Sequence, residues 1–268
     1  MQRDSASFTL LVATVLCVVC SVLVAGAAVL LRPRQEANKV LDRQKNVLIA
    51  AGLIERGKTD KEQVKKVFDE RIERQLIDTK TGAAVTLEEA GLEDDYDPRD
   101  ALNNPKLSVE IPADEDTAGI KKKALYTYAY KVKGESGQIE QIVLPIYGKG
   151  LWSTVYGFLA VKADGETVSG ITFYEQGETP GLGAEVENPD WQDQWVDKSI
   201  YGDDGEVELS VIKGTVNDES PDAKYEVDGL SGATITSKGV SHMIDYWLGP
   251  HGFEPYLKSL SGSTGGDQ

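Results

Sequence analysis

Cysteine is nearly absent from this chain. Of 268 residues only Cys17 and Cys20 carry thiols, and both lie in one apolar run near the N-terminus. The rest of the chain therefore has neither a disulfide framework nor a cysteine-ligated cluster. Inside the run, with no other ligand beside it, the Cys-x-x-Cys spacing reads as two small apolar residues on one helix face. Histidine is equally scarce, with His242 and His251 alone, which leaves little for a transition metal. Basic residues are also outnumbered, 28 against 44 acidic, for a net charge of −16. Such a surface repels phosphate backbones and excludes a nucleic-acid partner. The cluster Glu93, Asp94, Asp95, Asp97 and Asp100 lacks the spaced ligands and central glycine of a calcium loop and reads as a solvated acidic loop.

Phe8 to Leu31 contains no charge at all and is rich in Val, Leu and Ala, with Arg3 before it and Arg32 and Arg34 after it. At ~1.5 Å per residue this run spans a hydrocarbon layer of ~30 Å. Ala25-Gly26-Ala27 resembles a cleavage site, but the run exceeds the ~15 residues of a signal-peptide core. A retained single-pass anchor over 8–31, after a short tail at 1–7, is the expectation. A positive-inside count, with Arg32, Arg34, Lys39, Arg43 and Lys45 beyond the anchor, puts the following domain in the cytoplasm.

After Pro33 a polar helix is expected over Gln35–Ala51, ended by Gly52. Asp60 and Gln63 resemble a capping box opening a second helix, in which Val64, Val67, Phe68, Ile72 and Leu76 recur at helical spacing. Residues 79–123 are irregular, broken by Pro98, Pro105 and Pro112, so 32–123 reads as a helical and irregular membrane-proximal region. Strand signals then dominate a core over 124–258. Ala124–Val132 and Ile139–Ile146 flank a Gly134–Gly137 turn, Val155–Val161 and Thr167–Tyr174 flank Asp164-Gly165, and Glu206–Ile212 returns to strand. Asn188-Pro189 starts a short helix through Trp191 and Trp195. Residues 259–268 read as a flexible tail. The fold class is α+β, one transmembrane helix followed by an antiparallel sheet packed against helices.

Three glycine-rich segments carry the chemistry: Leu144–Ser153, Tyr174–Gly183, and Asp228-Gly229-Leu230-Ser231-Gly232-Ala233-Thr234. The last precedes an amphipathic helix whose Val240, Met243, Ile244, Trp247 and Leu248 form one buried face. A helix N-terminus favours a phosphate near Thr234, although a plain capping turn uses the same residue types. Glycine admits close approach of backbone to a flat ligand, and Trp152 offers an aromatic wall. Each segment alone is equally a tight loop between strands.

Asp-Gly-Leu-Ser-Gly-Ala-Thr resembles the flavinylation motif of FMN-binding domains in bacterial sodium-translocating and related redox complexes. The order of Gly-Lys-Gly-Leu-Trp-Ser, Glu-Gln-Gly-Glu-Thr-Pro-Gly-Leu-Gly, Glu-Asn-Pro, that motif and the Tyr246–Phe253 tail resembles the C subunits of the six-subunit sodium-translocating NADH:quinone reductases. The resemblance implies FMN bound covalently, through its phosphate, to Thr234, attached after export by a flavin transferase that takes the FMN moiety from FAD. It implies that Trp152, Glu178, Thr179 and Leu182 lie beside the flavin, with Lys213 a further contact. Leu230, Ser231, Gly232, Ala233 and Thr236 then surround the attachment point, and Ser237 becomes the expected cap of the following helix. No catalytic triad is expected, since the flavin carries the redox chemistry. The domain is placed in the periplasm, at the inner membrane, against the basic-residue count. The wording of the second segment and the long tail favour this family over the equivalent subunit of a ferredoxin-linked complex, and over an anchored binding module without a cofactor.

Overall fold

A single helix, α1 (Ala6–Ala50), opens the chain in the computed structural model, which describes residues 6–263. It is long and apolar enough to cross a membrane. The expected break at Pro33 does not occur: the helix runs through it, with Arg32 and Glu36 paired across it. A proline removes one backbone bond, and helix-forming stretches on both sides continue past that gap.

Residues from Gln44 onward form a compact unit of their own. After the last turns of α1 come α2 (Lys61–Arg71), β1 (Ile72–Asp78), β2 (Ala84–Val85), α3 (Leu87–Ala90), α4 (Pro98–Ala101), β3 (Ser108–Glu110) and β4 (Lys122–Ala124). Then follow β5 (Tyr126–Lys133), β6 (Ile139–Lys149), β7 (Thr154–Lys162) and β8 (Val168–Glu175). A 3-10 turn (Gly183–Glu187), α5 (Pro189–Asp193), β9 (Ser210–Val211), a second 3-10 turn (Pro221–Tyr225), β10 (Glu226–Val227), α6 (Thr234–Leu248) and α7 (Glu254–Ser263) complete the chain. The main sheet is antiparallel, ordered β2-β1-β5-β6-β7-β8. Of the expected flexible tail, α7 covers 259–263, and 264–268 lie outside the described residues, as do residues 1–5 of the expected leading tail.

The structure departs from expectation at two elements. The second helix stops at Arg71, capped at its start by the Asp60 side chain on the Gln63 N–H, and Ile72 enters an extended strand. Ile72 and Leu76 sit four residues apart, a spacing that shares a face in a strand as well as in a helix. Pairing of β1 with β5, from Ile72 opposite Val132 to Asp78 opposite Tyr126, selects the strand. Conversely, the strand expected over Glu206–Ile212 shrinks to Ser210–Val211, because Gly202 bonds back to Glu206 in a turn.

The core forms between this sheet and α6. Val240, Met243, Ile244, Trp247 and Leu248 are all buried, as their periodicity predicts. Contact is close enough to require two glycines. A Cβ on Gly148 of β6 would sit 2.7 Å from the Met243 Cβ, and one on Gly239 of α6 would sit 2.3 Å from the Lys149 carbonyl oxygen. Gly239→Ala gains up to about 1 kcal/mol of helix propensity. The clash is with backbone, which cannot rotate aside, so we expect a net loss of about 1–3 kcal/mol. A urea midpoint at or above that of the wild type would contradict this.

Candidate functional site

The first glycine-rich segment is the loop of the β6–β7 hairpin. The strands pair out to Lys149 opposite Thr154, and the Gly150 N–H closes the loop on the Ser153 carbonyl at 2.8 Å. Four residues in a tight loop leave Trp152 with its indole outward, 67% exposed, whereas the other three tryptophans are buried.

The second segment leaves the end of β8. Arg99, on α4, forks Glu175 at 2.7 and 2.8 Å and lies 4.0 Å over the Tyr156 ring, which pins the strand end. Farther on, Thr179-Pro180-Gly181-Leu182 is a turn closed by the Leu182 N–H on the Thr179 carbonyl at 3.0 Å. Proline at its second position and Gly181 at φ 73° give it the type II form. Thr179 and Leu182 are both exposed.

The third segment ends on α6. Gly232 has φ 72°, Ala233 is the N-cap residue, and no side chain caps the helix. Thr234 is its first residue and is exposed. Ser237 is not the cap: its hydroxyl accepts from the Leu230 N–H at 3.0 Å, folding the motif back onto the helix. The end of α6 thus presents open N–H groups and a positive dipole, the arrangement that holds a phosphate.

Direct contacts join all three segments. Glu178, 5% exposed, accepts from the backbone N–H groups of Leu151 (3.1 Å), Trp152 (2.8 Å) and Ser153 (3.1 Å). The same carboxylate accepts from the Thr236 hydroxyl at 2.7 Å. Ser153 Oγ accepts from the Gly177 N–H at 2.7 Å. The Leu182 methyl lies 2.9 Å from where a Gly232 Cβ would stand. Lys213 is exposed on the neighbouring loop, which the motif touches through the Gly229 N–H on the Gly214 carbonyl at 2.7 Å.

Glu178, expected beside the ligand, spends its carboxylate on bonds within the protein. Its carboxylate is enclosed by loop and helix. Burial raises its pKa, but the bonds from Thr236, Trp152, Ser153 and Leu151 outweigh this and hold it below the usual carboxylate range. A depressed folded-state value contributes stability that is present above the ordinary glutamate range and is lost as pH falls through the folded value. Emission from exposed Trp152 should accordingly report release of its loop only below the ordinary glutamate range. Release already at pH 6 would mean that the carboxylate is not held ionised.

Two further exposed apolar side chains border the site: Leu151, and Ile235 at 58% exposure. Ile235 lies off the buried stripe of α6, an apolar residue on the wrong face of the first turn, and that signal was available in the sequence. Together with Trp152 and Leu182 these side chains leave apolar surface on the segments next to the uncapped end of α6. A flat aromatic ligand bearing a phosphate fits this combination.

Exposed apolar side chains, an uncapped helix end and an exposed threonine together suit a flat, phosphate-bearing ligand, and residues 150–249, which hold all of them, match the FMN-binding domain family. Over 97% of its length the chain is 48% identical to the C subunit of the Na(+)-translocating NADH-quinone reductase of Pseudomonas aeruginosa, 97% of which is covered. The C subunit from Yersinia pestis is 44% identical over 97% of this chain and 94% of its own length. The crystal structure of Shewanella oneidensis NqrC aligns with a TM-score of 0.75 at 34% identity, covering 84% of this chain and 99% of that one. The chain belongs to the family of C subunits of the Na(+)-translocating NADH-quinone reductase.

Proposed function

We propose that Thr234 carries FMN through a phosphoester bond and that the chain relays electrons within a sodium-translocating NADH:quinone reductase. The observation that carries this reading is an exposed threonine at the uncapped N-terminus of α6, on a helical turn that Glu178 joins to the loop bearing the exposed Trp152. Bound flavin supplies the electron-accepting and electron-donating chemistry. The N–H groups of the first turn of α6 hold the phosphate, with Leu230, Ser231, Gly232 and Ala233 shaping the turn beneath it. Trp152, Thr179 and Leu182 cover the ring system, and Lys213 adds positive charge on the neighbouring loop. A covalent tether keeps the cofactor on a domain from which a free one would be lost by dilution.

In this reading residues 8–31 span the bacterial inner membrane once, and the domain that follows stands in the periplasm. A flavin transferase loads the domain there: the Thr234 oxygen bonds to the FMN-side phosphorus of FAD, and AMP leaves. The remaining five subunits of the complex are the partners. Co-expression with a flavin transferase should add the mass of one FMN residue to the intact chain. A reporter enzyme active only in the periplasm, fused to the C-terminus, should be active. An intact mass without the adduct rejects covalent attachment, and a silent reporter on a stably expressed fusion rejects the orientation.

A further inference from the structure

We propose that Glu178 is the positioning residue of this site, an ionised carboxylate that locks the Trp152 loop to the first turn of α6. The proposal rests on the FMN reading above and extends it, from a residue expected beside the cofactor to one that sets the distance between ring wall and phosphate anchor. Both carboxylate oxygens are occupied. Oε1 accepts from the Trp152 and Ser153 N–H groups, and Oε2 from the Leu151 N–H and the Thr236 hydroxyl. All four partners are uncharged donors, so the group facing them must accept at both ends. Glutamine has the same shape and fails this requirement, because either orientation turns its NH2 toward at least one backbone N–H.

The neighbouring glycines are explained by the same group. A Cβ on Gly150 would stand 2.6 Å from Glu178 Oε1, and one on Gly183 would stand 2.8 Å from Oε2 and 2.6 Å from the Thr236 hydroxyl. Both segments therefore carry glycine where they pass the carboxylate. The groups it connects are those that matter to a tethered flavin. Trp152 is bonded directly through its N–H, and Thr234 precedes Thr236 by two residues on the same helical turn. A short loop bearing a 67% exposed indole would otherwise sample many positions, and one buried anion holds it in a single one. The same negative charge opposes the addition of electrons to a neighbouring ring.

The test uses the full-length chain, co-expressed with a flavin transferase and purified in detergent, with intact mass, flavin fluorescence and midpoint potential measured. In Glu178→Gln the adduct on Thr234 should persist. Its flavin fluorescence should rise to that of Trp152→Ala, as the indole leaves the ring it quenches, and the midpoint potential should move upward. Thr236→Val, which removes one of the four bonds and keeps the charge, should raise the fluorescence while leaving the potential nearer the wild-type value. It also serves if Glu178→Gln fails to fold. Wild-type fluorescence and potential in the folded variants overturn the positioning role while the flavin reading stands. If the wild-type chain never acquires FMN, the flavin reading fails instead. Hydrogen exchange at the Leu151, Trp152 and Ser153 amides of the flavin-free chain then decides the lock: exchange faster in Glu178→Gln upholds it, and unchanged exchange overturns it.

Discussion

Thr234→Ala protein is expected to fold as the wild type does and to carry no covalently bound flavin. The two halves of this prediction have separate grounds. Thr234 is exposed, opens α6, and follows an N-cap whose side chain bonds to nothing. Its hydroxyl therefore contributes little to the fold, and surface changes of this kind stay within about 0.5 kcal/mol. Alanine is also the better helix former, by a few tenths of a kcal/mol. The phosphoester, by contrast, needs the hydroxyl oxygen and has no substitute there. Intact mass and in-gel flavin fluorescence read the loss, while the thermal midpoint checks the fold. Thr234→Ser, which keeps an oxygen at the same place, should retain part of the adduct. Full occupancy in Thr234→Ala would move the attachment to another hydroxyl. Thr236 is a poor candidate for that role, being buried and bonded to Glu178.

Trp247→Ala should produce the largest loss of stability in the domain, about 3–5 kcal/mol, as for other buried aromatic truncations. Trp247 is 3% exposed at the far end of the same helix. Its ring lies 4.8 Å from Tyr147 and 5.3 Å from both Phe253 and Tyr246. Its indole N–H donates to the Tyr147 carbonyl at 2.7 Å, so truncation leaves a cavity and an unbonded acceptor together. For a unit of this size each kcal/mol lowers the thermal midpoint by about 2–4 °C, which puts the expected drop at roughly 6–20 °C. Trp247→Phe fills part of the space without the hydrogen bond and should fall in between. A drop of only a degree or two for the alanine variant would mean that α6 is not held through this residue. Because α6 presents Thr234, the destabilised variant should also load less FMN at growth temperature, a secondary effect that Thr234→Ala separates from loss of the hydroxyl.

Local signals were legible in the chain without its structure. The charge-free run from Phe8 to Leu31 needs no tertiary partner to be read, nor does the stripe Val240–Met243–Ile244–Trp247–Leu248 or the Asn188-Pro189 start of α5, since each pattern is complete within a few turns. The motif ending at Thr234 was legible for the same reason: turn glycines, hydroxyl and helix follow one another directly. Other features depended on residues far away in the chain. Ile72 and Leu76 fit a helix or a strand, and only the pairing with β5 selected the strand. Ser237, expected as a cap, became a brace for Leu230 once the motif folded back on the helix.

Glu178 marks the boundary most clearly. Its type and its place in a glycine-rich segment were visible at the outset, but its four donors lie 25 to 58 positions away in sequence. Composition, the charge-free apolar run, the buried stripe of α6 and the glycine-rich motif that sets Thr234 at its start were determined by the sequence alone, because their causes are local. Which strands pair, which glycines must be glycine, and that one buried carboxylate joins the Trp152 loop to the helix bearing Thr234 were decided only by tertiary structure, because close approach between distant segments is a property of the packed chain.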